Sequence, residues 1–280
     1  MPREPYIICC DLDGTLLTSS KEITSFSSET IKASCAEGNR FCIVSGRPPV
    51  MAGAYYKMLD LDTPVISHSG SIVWVPNNRQ ILTEHHIPKE PTLDYIDFCI
   101  EEGLDWALFT FDSVYFPYSD DRNIFYDEYN ALARTWQAPE LTYQSGLTRE
   151  QTIELLEQGV YRVSVVRPTE DQMRALEAYF PLHPEITFVH STRSSYDALP
   201  FGVNKWEGIL SICDYYDVDP SCVLAFGNDI NDIEMVCNAG QGFMVENSEP
   251  QLLACNATLI GSNDADGVAH AIRSFVLQEQ

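Results

Sequence analysis

The sequence predicts a doubly wound α/β fold, a mostly parallel sheet with helices on both faces, into which an α+β domain is inserted. Three observations carry this. Short apolar runs at residues 6–10, 40–44, 64–67 and 222–226 alternate with stretches of helical period, the signature of βα units and parallel strands. Polar residues follow these runs at once, where such sheets place their chemistry: Asp11 and Asp13 after the first, Ser45 after the second, Asn228, Asp229 and Asp232 after the last. Between about His85 and His190 the composition changes. Pro88, Pro91 and Pro117 punctuate it, aromatics crowd residues 106–136, and no strand-end polar group recurs. Residues 1–84 and 192–280 are therefore expected to form the core and 85–191 the insertion.

The elements follow in order. Residues 6–10 form a short buried strand rich in β-prone residues. The turn after it, Asp11-Leu12-Asp13-Gly14-Thr15-Leu16-Leu17, lets two carboxylates approach one point, and Gly14 lets backbone N–H groups face an anion. Two such carboxylates repel unless a hard, oxygen-seeking cation such as Mg2+ lies between them. A helix over 27–37 stops at Gly38-Asn39, and the strand 40–44 ends in Ser45-Gly46-Arg47-Pro48. This βαβ unit makes the two strands parallel neighbours and sets Ser45 beside Asp11. Ser45 is either a helix N-cap or a hydroxyl offered to a phosphoryl oxygen. A helix over 49–59, a strand over 64–67 and a hairpin over 71–83, turning at Pro76-Asn77-Asn78-Arg79, complete the first half.

In the insertion, residues 91–102 carry Leu93, Ile96, Cys99 and Ile100 at helical spacing. Thr169-x-x-Gln172 opens another helix as a capping box, with Met173, Leu176 and Phe180 turned inward. Residues 161–166 and 186–190 read as strands. Tyr115, Tyr118, His190 and Arg193 are candidates to line a pocket, and Arg193 is placed to hold a second anionic group of a ligand. The chain returns to the core at Ser195 and passes through Pro200-Phe201-Gly202-Val203-Asn204 to a helix over 205–216 that opens with Lys205. A cation is unfavourable at the positive end of a helix, so an anion must compensate it. Asp11 and a bound phosphate would both serve. A buried strand, 222–226, then leads into Gly227-Asn228-Asp229-Ile230-Asn231-Asp232, and a last strand and two helices close the chain.

Composition narrows the function. With 280 residues, 45% hydrophobic and 21% charged, the chain is globular, and a formal charge of −24 repels nucleic acid and anionic membranes. Nine cysteines without a Cys-x-x-Cys pair read as buried thiols in a reducing cytoplasm. The polar start before a five-residue strand is too short for a signal-peptide core. A cytoplasmic protein is expected, and the charge leaves room for a small phosphorylated metabolite as partner if its pocket is locally positive. The oligomeric state is not legible.

These strand-end groups resemble, in order, the four motifs of the haloacid dehalogenase (HAD) superfamily, and the insertion resembles the type C2 cap of its Cof-like subfamily, IIB. Asp11 to Leu17 is similar to the first motif, Ser45-Gly46-Arg47 to the second, Lys205 after its Pro-x-Gly turn to the third, and residues 227–232 to the fourth. Ser69-Gly70-Ser71 stands where relatives usually have Asn-Gly-Ala, a departure expected to touch substrate approach. The resemblance implies a Rossmann-like core and a Mg2+-dependent phosphatase of small phosphorylated metabolites, sugar phosphates first among them, working through an aspartyl-phosphate. Asp11 would be the nucleophile and Asp13 the acid and base, with Ser45 and Lys205 on the phosphoryl oxygens. Leu12, Gly46, Arg47 and Asn231 would complete the phosphate contacts, with Arg193 reaching the rest of the substrate. Asp11, the Asp13 backbone carbonyl and Asn228 would hold the metal. Asn228 replaces the family's usual Asp, so the missing carboxylate falls to Asp229 or Asp232. A phosphomutase, or a binding protein with a weakened metal site, are the other readings.

Overall fold

The computed structural model describes residues 5–118, 123–192 and 195–278. Its core is built by alternation. In β1 (Ile7–Cys10) Ile8 and Cys10 face one side and Ile7 and Cys9 the other, and all four are fully buried because both faces of the strand are covered. The first half continues through α1 (Ser25–Ala36), β2 (Arg40–Ile43), α2 (Pro49–Met58), β3 (Val65–Ser67), β4 (Ile72–Val75) and β5 (Gln80–Glu84). Thr24 starts α1 by accepting the Ser27 N–H, and Pro49 occupies the first turn of α2, where its missing N–H costs nothing.

The insertion follows as α3 (Lys89–Glu101), β6 (Trp106–Phe109), β7 (Ser113–Phe116), α4 (Asn123–Thr135), β8 (Thr142–Ser145), α5 (Arg149–Gln158), β9 (Arg162–Val166), α6 (Glu170–Tyr179), β10 (Ile186–Thr192) and β11 (Ser195–Pro200). The core resumes with α7 (Lys205–Tyr216), β12 (Val223–Gly227), α8 (Ile233–Asn238), β13 (Gln241–Val245), β14 (Thr258–Ile260) and α9 (Gly267–Ala271).

The core sheet runs β14-β13-β12-β1-β2 with every pairing parallel. A parallel bridge from Val44 to Ile66 sets β3 beside β2, and β3, β4 and β5 form an antiparallel sheet of their own. Ile31 of α1, Tyr55 of α2 and Val268 of α9 pack with Ile8 and Cys10; Ile209 of α7 and Met235 of α8 pack with Ile7 and Cys9. Helices on both faces make the sheet doubly wound. The inserted sheet runs β10-β11-β9-β6-β7-β8. One of its faces, with Trp106 and Leu108, packs on α3, α5 and α6. The other, with Ala107 and Phe109, packs on α4 and on Val50 and Met51 of α2, which joins insertion to core.

Three expectations need correction. Ser195–Pro200, read as the return to the core, is a strand of the inserted sheet, with Asp197 opposite both Ser164 and Val189. Its membership depends on strands far away in sequence, so no local pattern reports it. In α3, Ile100 is 51% exposed, whereas Tyr95 is fully buried and takes the inward position. Finally, the cysteines are not all thiols. Cys237, at the end of α8, is bonded to Cys255, 18 residues on, because β13 carries the chain back past α8 and brings the two Cα atoms to 4.8 Å. The other seven form no disulfide. The capping box at Thr169 and Gln172 is present, with both reciprocal bonds formed. Among the described residues no helix is long and apolar enough to cross a membrane.

Candidate active site

The carboxyl ends of the adjacent strands β12, β1 and β2 deliver their next residues to one point. Asp11 is tied to β12 by its N–H bond to the Phe226 carbonyl (3.0 Å), and Ser45 to β3 by its N–H bond to Ile66 (2.9 Å). Above them lies a cavity of about 320 Å³ between core and insertion. From the core it is lined by Asp11, Asp13, Ser45, Gly46, Arg47, Asp229 and Asn231, and from the insertion by Phe109, Arg162, Ser164 and Asp197 among others.

Under the cavity is a buried triad of charges. The Lys205 ammonium, in the first turn of α7, donates to Asp11 (2.8 Å) and to Asp232 (2.5 Å), and all three residues are at most 5% exposed. The anion expected to offset the helix dipole is thus two carboxylates. The second oxygen of Asp232 accepts the N–H groups of Asn228 (2.9 Å) and Asp229 (3.0 Å), which fixes the loop after β12. One cation cannot neutralise two buried anions. Burial, with Asp232 and Asp13 nearby, pushes the Asp11 carboxyl up to about 7 even though Lys205 opposes this. Burial alone would lower the Lys205 ammonium, but Asp11 and Asp232 raise it, so it stays charged.

Asp13 is held otherwise. Arg47 grips it with two parallel bonds (Nε to Oδ2 2.6 Å, Nη2 to Oδ1 2.8 Å), and Lys21 adds a third (2.7 Å). Burial works against its charge, yet Arg47 and Lys21 hold the carboxyl well below the usual carboxylate range. Arg47 is itself buried, its guanidinium 5.3 Å from the Tyr55 ring and 5.8 Å from that of Phe125. Ser45 is not a helix cap, since α2 starts four residues later. Its hydroxyl accepts the Arg47 N–H at 3.1 Å and so shapes the turn that carries the arginine.

The loop after β12 meets the first turn at Gly14. With φ at +82° and only 2.7 Å from an added Cβ to the Asn228 amide nitrogen, any side chain here is strained and has to displace the Asn228 amide. The Asn228 carbonyl accepts the Thr15 hydroxyl at 2.6 Å. Asp229 lines the cavity and accepts the Ile230 N–H at 2.7 Å, and burial raises its carboxyl. The Asn231 amide approaches the Ser69 hydroxyl at 3.5 Å. Leu12 is a core side chain, fully buried against Ile43 and Phe226, so only its backbone is available to a ligand. Arg193 lies outside the described residues.

Sequence reasoning missed Thr15, Lys21, Arg162, Ser164 and Asp197. Thr15 was within reach, because it stands inside the first motif. Of the insertion candidates, Tyr118 is 62% exposed and Tyr115 lines a different groove. Arg162 and Asp197 take the place beside the core that those candidates were expected to fill.

A buried cation between strand-end carboxylates, under a cavity roofed by an inserted domain, defines an enzyme active site of the HAD kind. Residues 8–272 match the family of haloacid dehalogenase-like hydrolases, and the chain belongs to that family, in its Cof-like group. It is 27% identical to the 5-amino-6-(5-phospho-D-ribitylamino)uracil phosphatase YitU of Bacillus subtilis (strain 168), over 98% of this chain and 99% of that protein. It is 26% identical to the pyridoxal phosphate phosphatase YbhA of Escherichia coli (strain K12), over 97% and 98% respectively. Among solved structures, a haloacid dehalogenase-like hydrolase from B. subtilis superposes with a TM-score of 0.84 at 19% identity, over 97% of this chain and all of that one. The HAD subclass IIB sugar phosphatase BT4131 gives 0.79 at 22%, over 96% and 98%.

Proposed function

We propose that this hydrolase is a Mg2+-dependent phosphatase of small phosphorylated metabolites, sugar and sugar-alcohol phosphates first among them, that works through an aspartyl-phosphate. The observation that supports it best is the buried Asp11–Lys205–Asp232 triad beneath a cavity of metabolite size. The relatives named for phosphatase activity on a ribitylaminouracil phosphate and on pyridoxal phosphate agree with a phosphate monoester as substrate. The −24 charge supports an enzyme without nucleic-acid or membrane partners, and seven cysteines outside any disulfide support a cytoplasmic one, against which the Cys237–Cys255 disulfide weighs.

The donor set suits a hard cation. Asp11 is crowded by Asp232 and Asp13, Asp229 adds another carboxylate, and the Asn228 carbonyl has a lone pair beyond its bond to Thr15. Among the described residues no three His, Cys, Asp or Glu side chains converge as a metal cluster, so backbone and amide carbonyls must serve beside Asp11. Asp11, the Asp13 carbonyl and Asn228 or Asp229 would hold Mg2+, which would supply charge neutralisation for the phosphoryl transfer.

The protein's own groups do the rest. The Asp11 carboxylate attacks phosphorus, forming an acyl phosphate as the ester P–O bond breaks, and the leaving alkoxide takes a proton from Asp13. Water then attacks the same phosphorus, gives its proton to Asp13 and releases Asp11 and inorganic phosphate. Asp13 is anionic in this structure, so its acid step requires Arg47 and Lys21 to loosen their hold, which an incoming phosphate competing for them would achieve. Lys205 keeps Asp11 aimed and neutralises developing charge.

The test is phosphate release from a panel of sugar phosphates, titrated with Mg2+, for the natural chain, Asn228→Asp and Asp11→Asn. Activity that needs Mg2+, half-saturates at lower Mg2+ in Asn228→Asp and vanishes in Asp11→Asn is expected. A natural chain that binds these esters but never releases phosphate would sink the proposal and favour a binding protein with a weakened metal site.

A further inference from the structure

The roof of the cavity is one face of the inserted sheet, and its residues follow from register. Arg162, Ser164 and Val166 alternate along β9. Asp197 of β11 lies directly opposite Ser164, and Phe109 of β6 directly opposite Arg162. All of these line the cavity. The Arg162 guanidinium lies 4.1 Å from the centre of the Phe109 ring, and its Nη1 donates to Asp197 at 2.9 Å. Ser164 donates to the other Asp197 oxygen. Arg162 is 9% and Asp197 1% exposed, and the Arg162 Nε–H is buried with no acceptor. An added Cβ on Gly46 would stand 3.7 Å from Nη1, so this pair reaches the loop that carries Ser45.

Resting on the phosphatase reading, we propose that Arg162 and Asp197 act as a charge-balanced reader of the substrate's leaving group. The pair selects monophosphates whose other half is uncharged and rich in hydroxyl or carbonyl groups, and rejects those bearing a second acid. Arginine and carboxylate together offer donors and an acceptor to such a group but no net charge. Among the described residues the other cations at the site have anionic partners. Arg47 and Lys21 hold Asp13 and, where they loosen from it, turn to the phosphate; Lys205 holds Asp11 and Asp232, and Asp229 adds a carboxylate with no ammonium or guanidinium among its hydrogen-bond partners in the described residues. A carboxylate on the leaving group would face Asp197 across a guanidinium already neutralised by it. A hydroxyl would meet no such repulsion. Phe109, Phe125 and Tyr126 supply flat apolar walls against which a sugar or heterocycle can lie.

The experiment compares kcat/KM of the Mg2+-loaded full chain for glucitol 6-phosphate and gluconate 6-phosphate, which differ in one terminal group. The natural chain should prefer glucitol 6-phosphate by about tenfold or more, the size of effect one misplaced charge gives. Asp197→Asn keeps the shape and frees the Arg162 charge, so it should move the ratio toward gluconate 6-phosphate by about tenfold. Arg162→Gln leaves Asp197 uncompensated and should move it the opposite way. Opposite shifts in the two variants separate recognition from mere damage, and if Asp197→Asn does not fold, the shift in Arg162→Gln alone decides. A natural preference for the acid, or ratios unmoved in active variants, would overturn the inference while leaving the phosphatase reading standing. Calorimetric binding of both esters to Asp11→Asn reads the same preference without turnover. Loss of phosphate release in the natural chain, with that binding preference intact, would instead fault the phosphatase reading alone.

Discussion

At the scale of residues, Lys205 has two duties, in stability and in turnover, that a mutation would remove together. It is the sole ammonium bonded to both Asp11 and Asp232 among the described residues. Lys205→Met fills the space but leaves two buried carboxylates without their cation, so unfolding in urea should show a loss of about 3–5 kcal/mol. Phosphate release should fall about 10²–10³-fold, as for removal of one preorganised charge partner. A variant as stable as the natural chain would mean that Asp11 is protonated throughout and that the triad does not hold the site together. Arg47 carries an expectation that residue type alone could not complete. Its place in Ser-Gly-Arg points to a phosphate contact, and here its guanidinium grips Asp13, with which it shares no local pattern at a separation of 34 residues, so a phosphate would have to compete with that carboxylate.

At the scale of elements, the position of α7 rests on the turn after β3. Asn204 caps the helix by accepting the Glu207 N–H at 3.0 Å, and its backbone carbonyl lies where a Cβ on Gly70 would come to 2.1 Å. Gly70 also has φ at +110°. The departure at Ser69-Gly70-Ser71, expected to touch substrate approach, therefore sits against the helix that carries Lys205. Gly70→Ala should displace that helix start, and both the melting temperature and phosphate release should drop together. Unchanged values would show that the turn yields without cost.

His68, in the same turn, joins core to insertion. Its Nε2 is 3.1 Å from the Thr110 carbonyl and its ring stacks on Tyr161 at 5.2 Å. A carbonyl only accepts, so Nε2 carries the proton, and Nδ1 is buried without a partner. Burial, with Arg162 nearby, holds this imidazole well below its ordinary value, so the folded state keeps it neutral where the unfolded state protonates it. The His68 contribution to stability is then complete above about pH 6.5 and is lost as the pH drops below it, by up to about 1.4 kcal/mol per pH unit, while Asp11, raised to about 7, contributes in the opposite sense. His68→Gln should therefore change the slope of stability against pH by up to that amount, toward greater stability at low pH, in urea titrations between pH 7.5 and 5.5. Parallel slopes would exclude His68 as the group responsible.

For the whole molecule, the insertion meets the core at several places, among them the His68 turn, Tyr161 donating to Glu84 of β5, and α2 against α4, where Tyr129 donates to the Val50 carbonyl. The cavity is lined from both sides, so its roof and floor are positioned by separate elements. The Cys237–Cys255 disulfide ties α8, just beyond Asp232, to the segment after β13. Closing a loop of this length stabilises by about 3 kcal/mol in the chain-entropy account. Reductant, or Cys237→Ser, should lower the melting temperature accordingly and leave KM unchanged, because neither cysteine lines the cavity. A chain isolated from cytoplasm with nine titratable thiols would show that the bond does not form there.

Short strands with two buried faces, the Asp-x-Asp turn after β1, Ser45 after β2, the Pro-x-Gly turn before Lys205 and the polar loop after β12 are local patterns, and the order of these patterns was enough to define the class of fold and the floor of the site. Period and turn chemistry act over a few residues, which is why the sequence by itself determined them. Tertiary structure alone decided that Asp232 shares Lys205 with Asp11, that Arg47 clamps Asp13, that β11 belongs to the inserted sheet, that two cysteines meet, and that Arg162 and Asp197 form the roof. Each of these joins residues distant in sequence through strand register or helix packing, and such a contact is determined only when the whole sheet has closed.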